Sequence, residues 1–302
     1  MSFLKNAAKG GNLFSTYILT VILIIVGYAI IGQLPMLIDL AVSNYDLSEP
    51  GSADMKQLSA FFGENKMLFY LVLPFIFSLI ALIFSVRFLH KRPIISVFTG
   101  RTSFSWKRFF SAFAIWGSIL GSILLISVNT NPSIEWNVNW TTFFPLLLIS
   151  LFLIPIQTTC EEVFFRGYLF QALGFSFKKG WIAVIVTGIA FGLMHGANPE
   201  VEKLGYSVMI YYIGTGIFLG IIALMDDGLE LSMGYHAINN VFAALMLTND
   251  WQAFQTDAVF IDHSPPSFGW DAVLTLIVLQ PLLLFVFSKL YNWTDWKGKF
   301  LN

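Results

Sequence analysis

The sequence predicts an all-α fold: a polytopic membrane helix bundle of about eight transmembrane helices, with N-terminus and C-terminus cytoplasmic. Three observations predict it: a shortage of charge, the recurrence of long apolar runs, and the placement of Lys and Arg. Of the 302 residues, 56% are hydrophobic and only 12% charged, against about 25% charged in ordinary soluble chains. With a mean hydropathy of +0.72, the chain has too little polar surface to cover a water-soluble globule of this length. Several segments must therefore face lipid. A net charge of −1 lacks the clustered basic excess that nucleic-acid binding requires. The single cysteine, Cys160, rules out internal disulfides and thiolate metal clusters, so any metal would need His and carboxylate ligands.

Eight uncharged apolar runs match or approach the length that crosses a hydrocarbon core of about 30 Å. The first, Phe14–Leu34, follows Lys5 and Lys9 as a signal peptide would. It is too long for a signal-peptide core and no small-residue cleavage site clearly follows, so it is expected to stay in the mature protein. Met67–Val86 and Phe109–Val128 come next, then Phe143–Cys160, in which Pro145 and Pro155 are tolerated as kinks. Gly180–Met194, Leu204–Met225, Leu231–Leu247 and Ala272–Ser288 complete the set. Gly117/Gly121 and Gly216/Gly220 have the spacing of helix-packing pairs. No repeat or linker divides the chain, so residues 1–302 are expected to form a single integral membrane domain, with the chemistry concentrated at about residues 143–248.

Orientation follows from the basic residues, because cytoplasmic loops retain positive charge. With the N-terminus inside, thirteen of the seventeen Lys and Arg are cytoplasmic and only Lys56, Lys66 and Lys203 lie outside, with Arg166 left near or within the bilayer. One short cytoplasmic loop, containing Asp226, Asp227 and Glu230, runs against this pattern.

The fourth run continues into Cys160-Glu161-Glu162-Val163-Phe164-Phe165-Arg166. A charge at the centre of a membrane helix costs about 2.5–3.5 kcal/mol on insertion scales, so three charges here call for a reason. On a helix Glu162 and Arg166 stand at i and i+4 and neutralise each other, while Glu161 points roughly 100° away and needs a partner from elsewhere. Two readings are open for Glu161: a residue at the end of the span facing water, or a buried carboxylate poised for proton transfer. The fifth run ends on His195, preceded by Gly188 and Gly192 and followed by Gly196, a stripe that admits a close helix neighbour. With a hairpin turn near Lys178 and Lys179, Glu161 is seventeen residues before Lys178 and His195 seventeen after it, which predicts matching depth on adjacent helices. The seventh run opens with His236 and Asn240 at i and i+4. They are either a helix-start cluster bonding loop backbone, or donors for a developing oxyanion, or in the case of His236 a metal ligand. His236 lies only about eight residues beyond the acidic loop, a mismatch in depth that eases if 168–179 sits partly in the interface. His90 and His263 fall in loops and are given no functional role.

Together the motifs Glu161-Glu162-x-x-x-Arg166, Phe191-x-x-x-His195 and His236-x-x-x-Asn240 resemble the CPBP family of CAAX proteases and bacteriocin-processing proteins. They cover about a quarter of the chain. The resemblance implies an eight-helix intramembrane endopeptidase whose prenyl-protein-processing members cut after a lipidated cysteine. It implies that Glu161 and His195 activate the attacking water and that His236 and Asn240 stabilise the oxyanion, with Glu162 and Arg166 in the remaining motif positions. The family is commonly labelled metalloprotease. Glu161, His195 and His236 are candidate ligands for a zinc ion, although no His-Glu-x-x-His pair exists and a metal-free Glu/His base uses the same residues. The expected partners are membrane lipids and a peptide or lipidated protein substrate, in the plasma or inner membrane if the source is prokaryotic. The competing classes are a proton-coupled transporter, for which no paired halves are visible, and a non-catalytic peptide-binding or immunity protein.

Overall fold

The computed structural model describes residues 3–46, 48, 51 and 54–301. Helices dominate, as the apolar runs predict. Helix α1 (Phe14–Val26) passes through a π-helical turn, Gly27–Ile31, and on to α2 (Leu34–Val42). After α3 (Met55–Phe62), helix α4 (Glu64–Phe84) returns across the bundle and α5 (Trp106–Thr130) crosses again. Helix α6 (Trp140–Glu162) starts on Asn139, whose side chain accepts the Thr141 N–H at 3.1 Å. It runs without a break through a π-helical segment, Val163–Leu169, into α7 (Phe170–Phe177). Lys178, in the left-handed region at φ 55°, makes the turn into α8 (Gly180–Met194). Then follow α9 (Pro199–Leu204), α10 (Val208–Asp226), α11 (Glu230–Leu245), α12 (Trp270–Leu274), α13 (Gln280–Leu290) and α14 (Trp296–Leu301).

Helices stand at all eight expected places, but only six among the described residues are long and apolar enough to cross a membrane: Phe14–Val42, Glu64–Leu89, Trp106–Thr130, Trp140–Phe177, Val208–Asp226 and Ala272–Leu290. The chain is an integral multi-pass membrane protein. The two shortfalls have a common cause. Helix α8 has 15 residues, about 22 Å, and α11 has 16, about 24 Å, both short of a 30 Å core. Helix α11 lies among other helices and carries Ser232, His236, Asn239 and Asn240, whereas α8 exposes an apolar face through Trp181, Ile185, Ile189 and Leu193.

Between membrane segments the loops add a feature the apolar pattern does not predict. Strands β1 (Ile134–Trp136), β2 (Leu247–Thr248) and β3 (Phe260–Asp262) form a small sheet in the order β1-β3-β2, with Ile134 opposite Asp262 and Leu247 opposite Phe260. It ties the loop after α5 to the segment after α11.

Glycines bring the site helices together. A Cβ on Gly188 would stand 2.8 Å from the Ile217 nitrogen, and one on Gly192 would stand 2.8 Å from Ile213 Cα, so α8 and α10 pack backbone to backbone. Gly196 does not share this role, since its nearest neighbour is the Leu193 carbonyl of its own chain end. Gly234 lies against the Phe109 carbonyl with no room for a Cβ, which seats α11 on α5. The Trp116 and Tyr235 rings stack there at 4.8 Å.

The acidic loop is neutralised from within. Asp226 pairs with Arg108 at 2.8 Å and Arg101 at 3.1 Å, Glu230 pairs with Arg101 at 3.1 Å, and Asp227 pairs with Lys299 at 2.8 Å. Its carboxylates therefore sit at the same end of the bundle as these basic residues. The depth mismatch is also resolved. A Cβ on Gly167 would meet Leu229 Cδ1 at 3.3 Å, so α7 extends past the acidic loop. Measured from that level, Glu162 is five residues away and His236 seven, about 8 and 10 Å.

Candidate active site

Four helices supply the site, and α6 supplies its carboxylates. Glu162 is fully buried and accepts from Arg166 Nη1 at 2.9 Å, the i,i+4 pair that the spacing predicts. Two buried charges cost more to desolvate than their attraction returns unless further bonds satisfy them. Here they do. Arg166 donates to the Gly216 carbonyl at 3.2 Å and lies 4.0 Å over the Phe191 ring. Glu162 Oε1 also lies 2.9 Å from His236 Nδ1.

The other edge of the His236 ring faces the second carboxylate: Nε2 is 3.4 Å from Glu161 Oε2. The Glu161 side chain is 15% exposed and Glu162 is wholly enclosed, so only the first reaches the surface of the packed helices. One imidazole thus stands between two carboxylates. If Glu162 holds the proton on Nδ1, a neutral ring points its Nε2 lone pair at Glu161, and the contact is favourable only with a proton between them. With that proton on His236, two cations (Arg166 and His236) balance two anions (Glu161 and Glu162).

Asn240 is oriented from both sides. Its Nδ2 donates to Gln157 Oε1 at 3.2 Å, and its Oδ1 accepts from Asn239 Nδ2 at 3.3 Å. Asn239 in turn accepts from Trp116 Nε1 at 3.1 Å. Gln157 stands one turn before Glu161 on α6, so both sites on α6 meet both sites on α11, one turn apart.

His195 closes α8 and stands across the Phe191 ring, whose centroid is 4.7 Å from the His195 ring and 5.7 Å from the His236 ring. Its Nδ1 is 2.9 Å from the Phe191 carbonyl, which leaves Nε2 as the free acceptor in the neutral ring. Tyr212 stacks on its other face at 4.5 Å. Phe191 also meets Phe165 edge-on at 5.5 Å, so the level of His195, one turn on, matches that of Glu161 as the hairpin count predicts. The close contact of Glu161, however, is with His236.

Gln157, Asn239, Trp116 and Tyr212 were not singled out from sequence. Gln157 carried a usable signal, a polar residue four positions before Glu161 in an apolar run. Trp116 and Tyr212 carried none, since aromatic residues are common throughout this chain. His90, given no function, is a buried structural residue whose Nδ1 is 2.8 Å from the Gly11 carbonyl and whose Nε2 is 2.7 Å from the Tyr168 hydroxyl. A cavity of about 410 Å³ lies beside the site. Leu120, Leu124, Phe242 and Leu247 give it an apolar wall, and Asn239 links it to Asn240.

The donors do not fit a zinc site. Among the described residues no three His, Cys, Asp or Glu side chains converge in an arrangement able to hold a metal ion. Of the three candidate ligands, Glu161 and His236 meet each other while His195 stands beyond the Phe191 ring.

The helical bundle with its Glu/His/Asn constellation describes a polytopic membrane protein with a polar cluster set among its helices. Residues 139–242 match the family model described as type II CAAX prenyl endopeptidase Rce1-like. The chain is also 29% identical over 228 residues, 74% of each chain, to the uncharacterized protein YyaK of Bacillus subtilis (strain 168). No solved structure matches it.

Proposed function

We propose that the protein is an intramembrane endopeptidase that hydrolyses a peptide bond either near the C-terminus of a lipidated, CAAX-type protein or in a membrane-associated peptide. The observation that carries this reading is the His236 ring held between Glu161 and Glu162, with Asn240 one turn further along the same helix face. Glu161, the carboxylate that is not fully enclosed, takes the proton of the attacking water, with His195 Nε2 accepting a hydrogen bond from the same water, and later returns that proton to His236. His236, carrying its proton on Nε2, and the second N–H of Asn240 donate to the carbonyl oxygen as it gains negative charge. Glu162 fixes the orientation of His236, and Arg166 balances its charge. The same proton on His236 is then available to the departing amine. The apolar cavity beside Asn239 suits the hydrophobic part of a membrane-borne substrate.

The test uses the purified protein in proteoliposomes with quenched-fluorescent peptides, both lipidated and unlipidated at a C-terminal cysteine. Wild type is expected to cleave at least one set and Glu161→Ala none, with both proteins showing the same melting temperature. Equal turnover by wild type and Glu161→Ala would end the assignment, and the preferred peptide set identifies the substrate class.

A further inference from the structure

His195 sits where α8 has ended, and its backbone, at φ −86° and ψ 0°, leaves the helix. Among the described residues its ring makes one hydrogen bond, from Nδ1 to the Phe191 carbonyl at 2.9 Å. A contact at one corner leaves the ring free to turn about it, so packing against its faces decides where Nε2 points. Two aromatic rings supply that packing. Phe191, one turn back on α8, meets the imidazole at 4.7 Å with the planes tilted by 54°. Tyr212, from α10, lies nearly parallel to it at 4.5 Å, with the planes 25° apart, a stacked arrangement that holds a flat ring in place.

The position of Tyr212 is itself fixed. A Cβ on Gly192, three residues before His195, would stand 2.8 Å from Ile213 Cα, so the backbones of α8 and α10 touch one residue from Tyr212. The Asn198 side chain donates to the Tyr212 hydroxyl at 3.5 Å, and the Asn198 N–H donates to the His195 carbonyl at 3.0 Å. Glu200 Oε1 accepts the Ala253 N–H at 2.8 Å, which pins α9 to the segment after β2. Tyr212 thus meets His195 through its ring and the chain after His195 through its hydroxyl.

We propose that Tyr212 is a positioning residue for the peptidase reaction: its ring, stacked on His195, holds the imidazole so that Nε2 faces the attacking water. The inference rests on the peptidase reading given above. His195 serves there as the acceptor of a hydrogen bond, which weakens steeply as its angle falls from about 150° to about 120°. Tyr212 acts through the imidazole rather than on the substrate, so its effect belongs to kcat and not to KM.

Two readouts test this. The chain has four histidines, so protein isotope-labelled at histidine alone gives few ring signals in detergent micelles by nuclear magnetic resonance, and the His195 signals are those missing from His195→Ala. Stacking on a tyrosine face displaces the His195 ring protons upfield. Tyr212→Leu is expected to remove that displacement and Tyr212→Phe to keep it. On a cleaved peptide in proteoliposomes, Tyr212→Leu is expected to lower kcat by about tenfold or more with KM within about twofold, and Tyr212→Phe to restore kcat to within about threefold of wild type. If Tyr212→Leu does not fold, Tyr212→Met, which fills the space without a ring, takes its place in both readouts. His195 signals unchanged by the loss of the ring overturn the inference, and so do signals that move while kcat stays within about twofold of wild type. Equal losses of kcat in Tyr212→Phe and Tyr212→Leu overturn it as well, because they assign the effect to the hydroxyl. In each of these cases the peptidase reading still stands on Glu161. A wild type that cleaves no peptide overturns both, while the histidine spectrum still reports whether the stack exists.

Discussion

The His236 imidazole is held to the wholly buried Glu162 by a 2.9 Å contact between Nδ1 and Oε1. The carboxylate thereby decides which nitrogen carries the first proton and turns the other toward Glu161, which is not fully enclosed. Replacing Glu162 with Gln keeps the shape but removes this control, since an amide is able to present either a donor or an acceptor to the ring. Glu162→Gln is expected to lower kcat by about 10²-fold or more with little change in KM, measured on the best peptide.

Arg166 and Glu162 form an enclosed pair, and removing one member leaves an uncompensated charge. Arg166→Leu is expected to destabilise the fold by about 3–5 kcal/mol, and Arg166→Leu combined with Glu162→Leu to recover much of that stability while remaining inactive. Thermal unfolding in detergent checks both. A double variant no more stable than Arg166→Leu would refute the account of the pair.

Asn240 donates one N–H to Gln157, and in the proposed reaction the other meets the carbonyl oxygen. Asn240→Ala is expected to reduce kcat by about 10²–10³-fold, the usual loss on removing an oxyanion donor. Gln157→Leu, which frees the carboxamide to rotate, is expected to cost about tenfold. Steady-state kinetics on one substrate rank the two, and the reverse order would place Gln157 closer to the chemistry than Asn240.

The Glu200 carboxyl titrates above its ordinary value of about 4.5 because burial disfavours its ionised form. A carboxyl raised in the folded state contributes stability that is fully present below the unfolded pKa and is lost as pH rises through the folded value. Wild type is therefore expected to lose stability relative to Glu200→Gln on going from pH 4 toward neutrality. A melting-temperature difference that is flat across that interval, or that runs the other way, would contradict the burial.

The packing of α8 on α10 leaves Gly192 no room. Gly192→Val would drive its side chain into the Ile213 backbone, at 2.8 Å from where a Cβ would stand, and is expected to destabilise by about 1–3 kcal/mol or more and to displace His195. Gly121→Ala, with nothing within 4 Å of its Cβ position, is expected to leave both stability and activity unchanged. Together the two variants separate glycines that permit close approach from glycines that merely share the spacing.

What the sequence by itself determined is whatever depends on one residue at a time or on one helix at a time. Hydropathy identified the membrane class and the eight helical places, and the i,i+4 spacing paired Glu162 with Arg166, because lipid and helix geometry act locally. Only the tertiary structure decided that Glu161 makes its close contact with His236, that Gln157 holds Asn240, and that α11 is a short interior helix. These depend on the rotation and axial offset of one helix against another, and an offset of a single residue turns a side chain by about 100°. The π-helical segment Val163–Leu169 introduces such an offset directly after the two glutamates. Counting residues from the turn at Lys178 therefore recovered the depth of the site but not the identity of its partners.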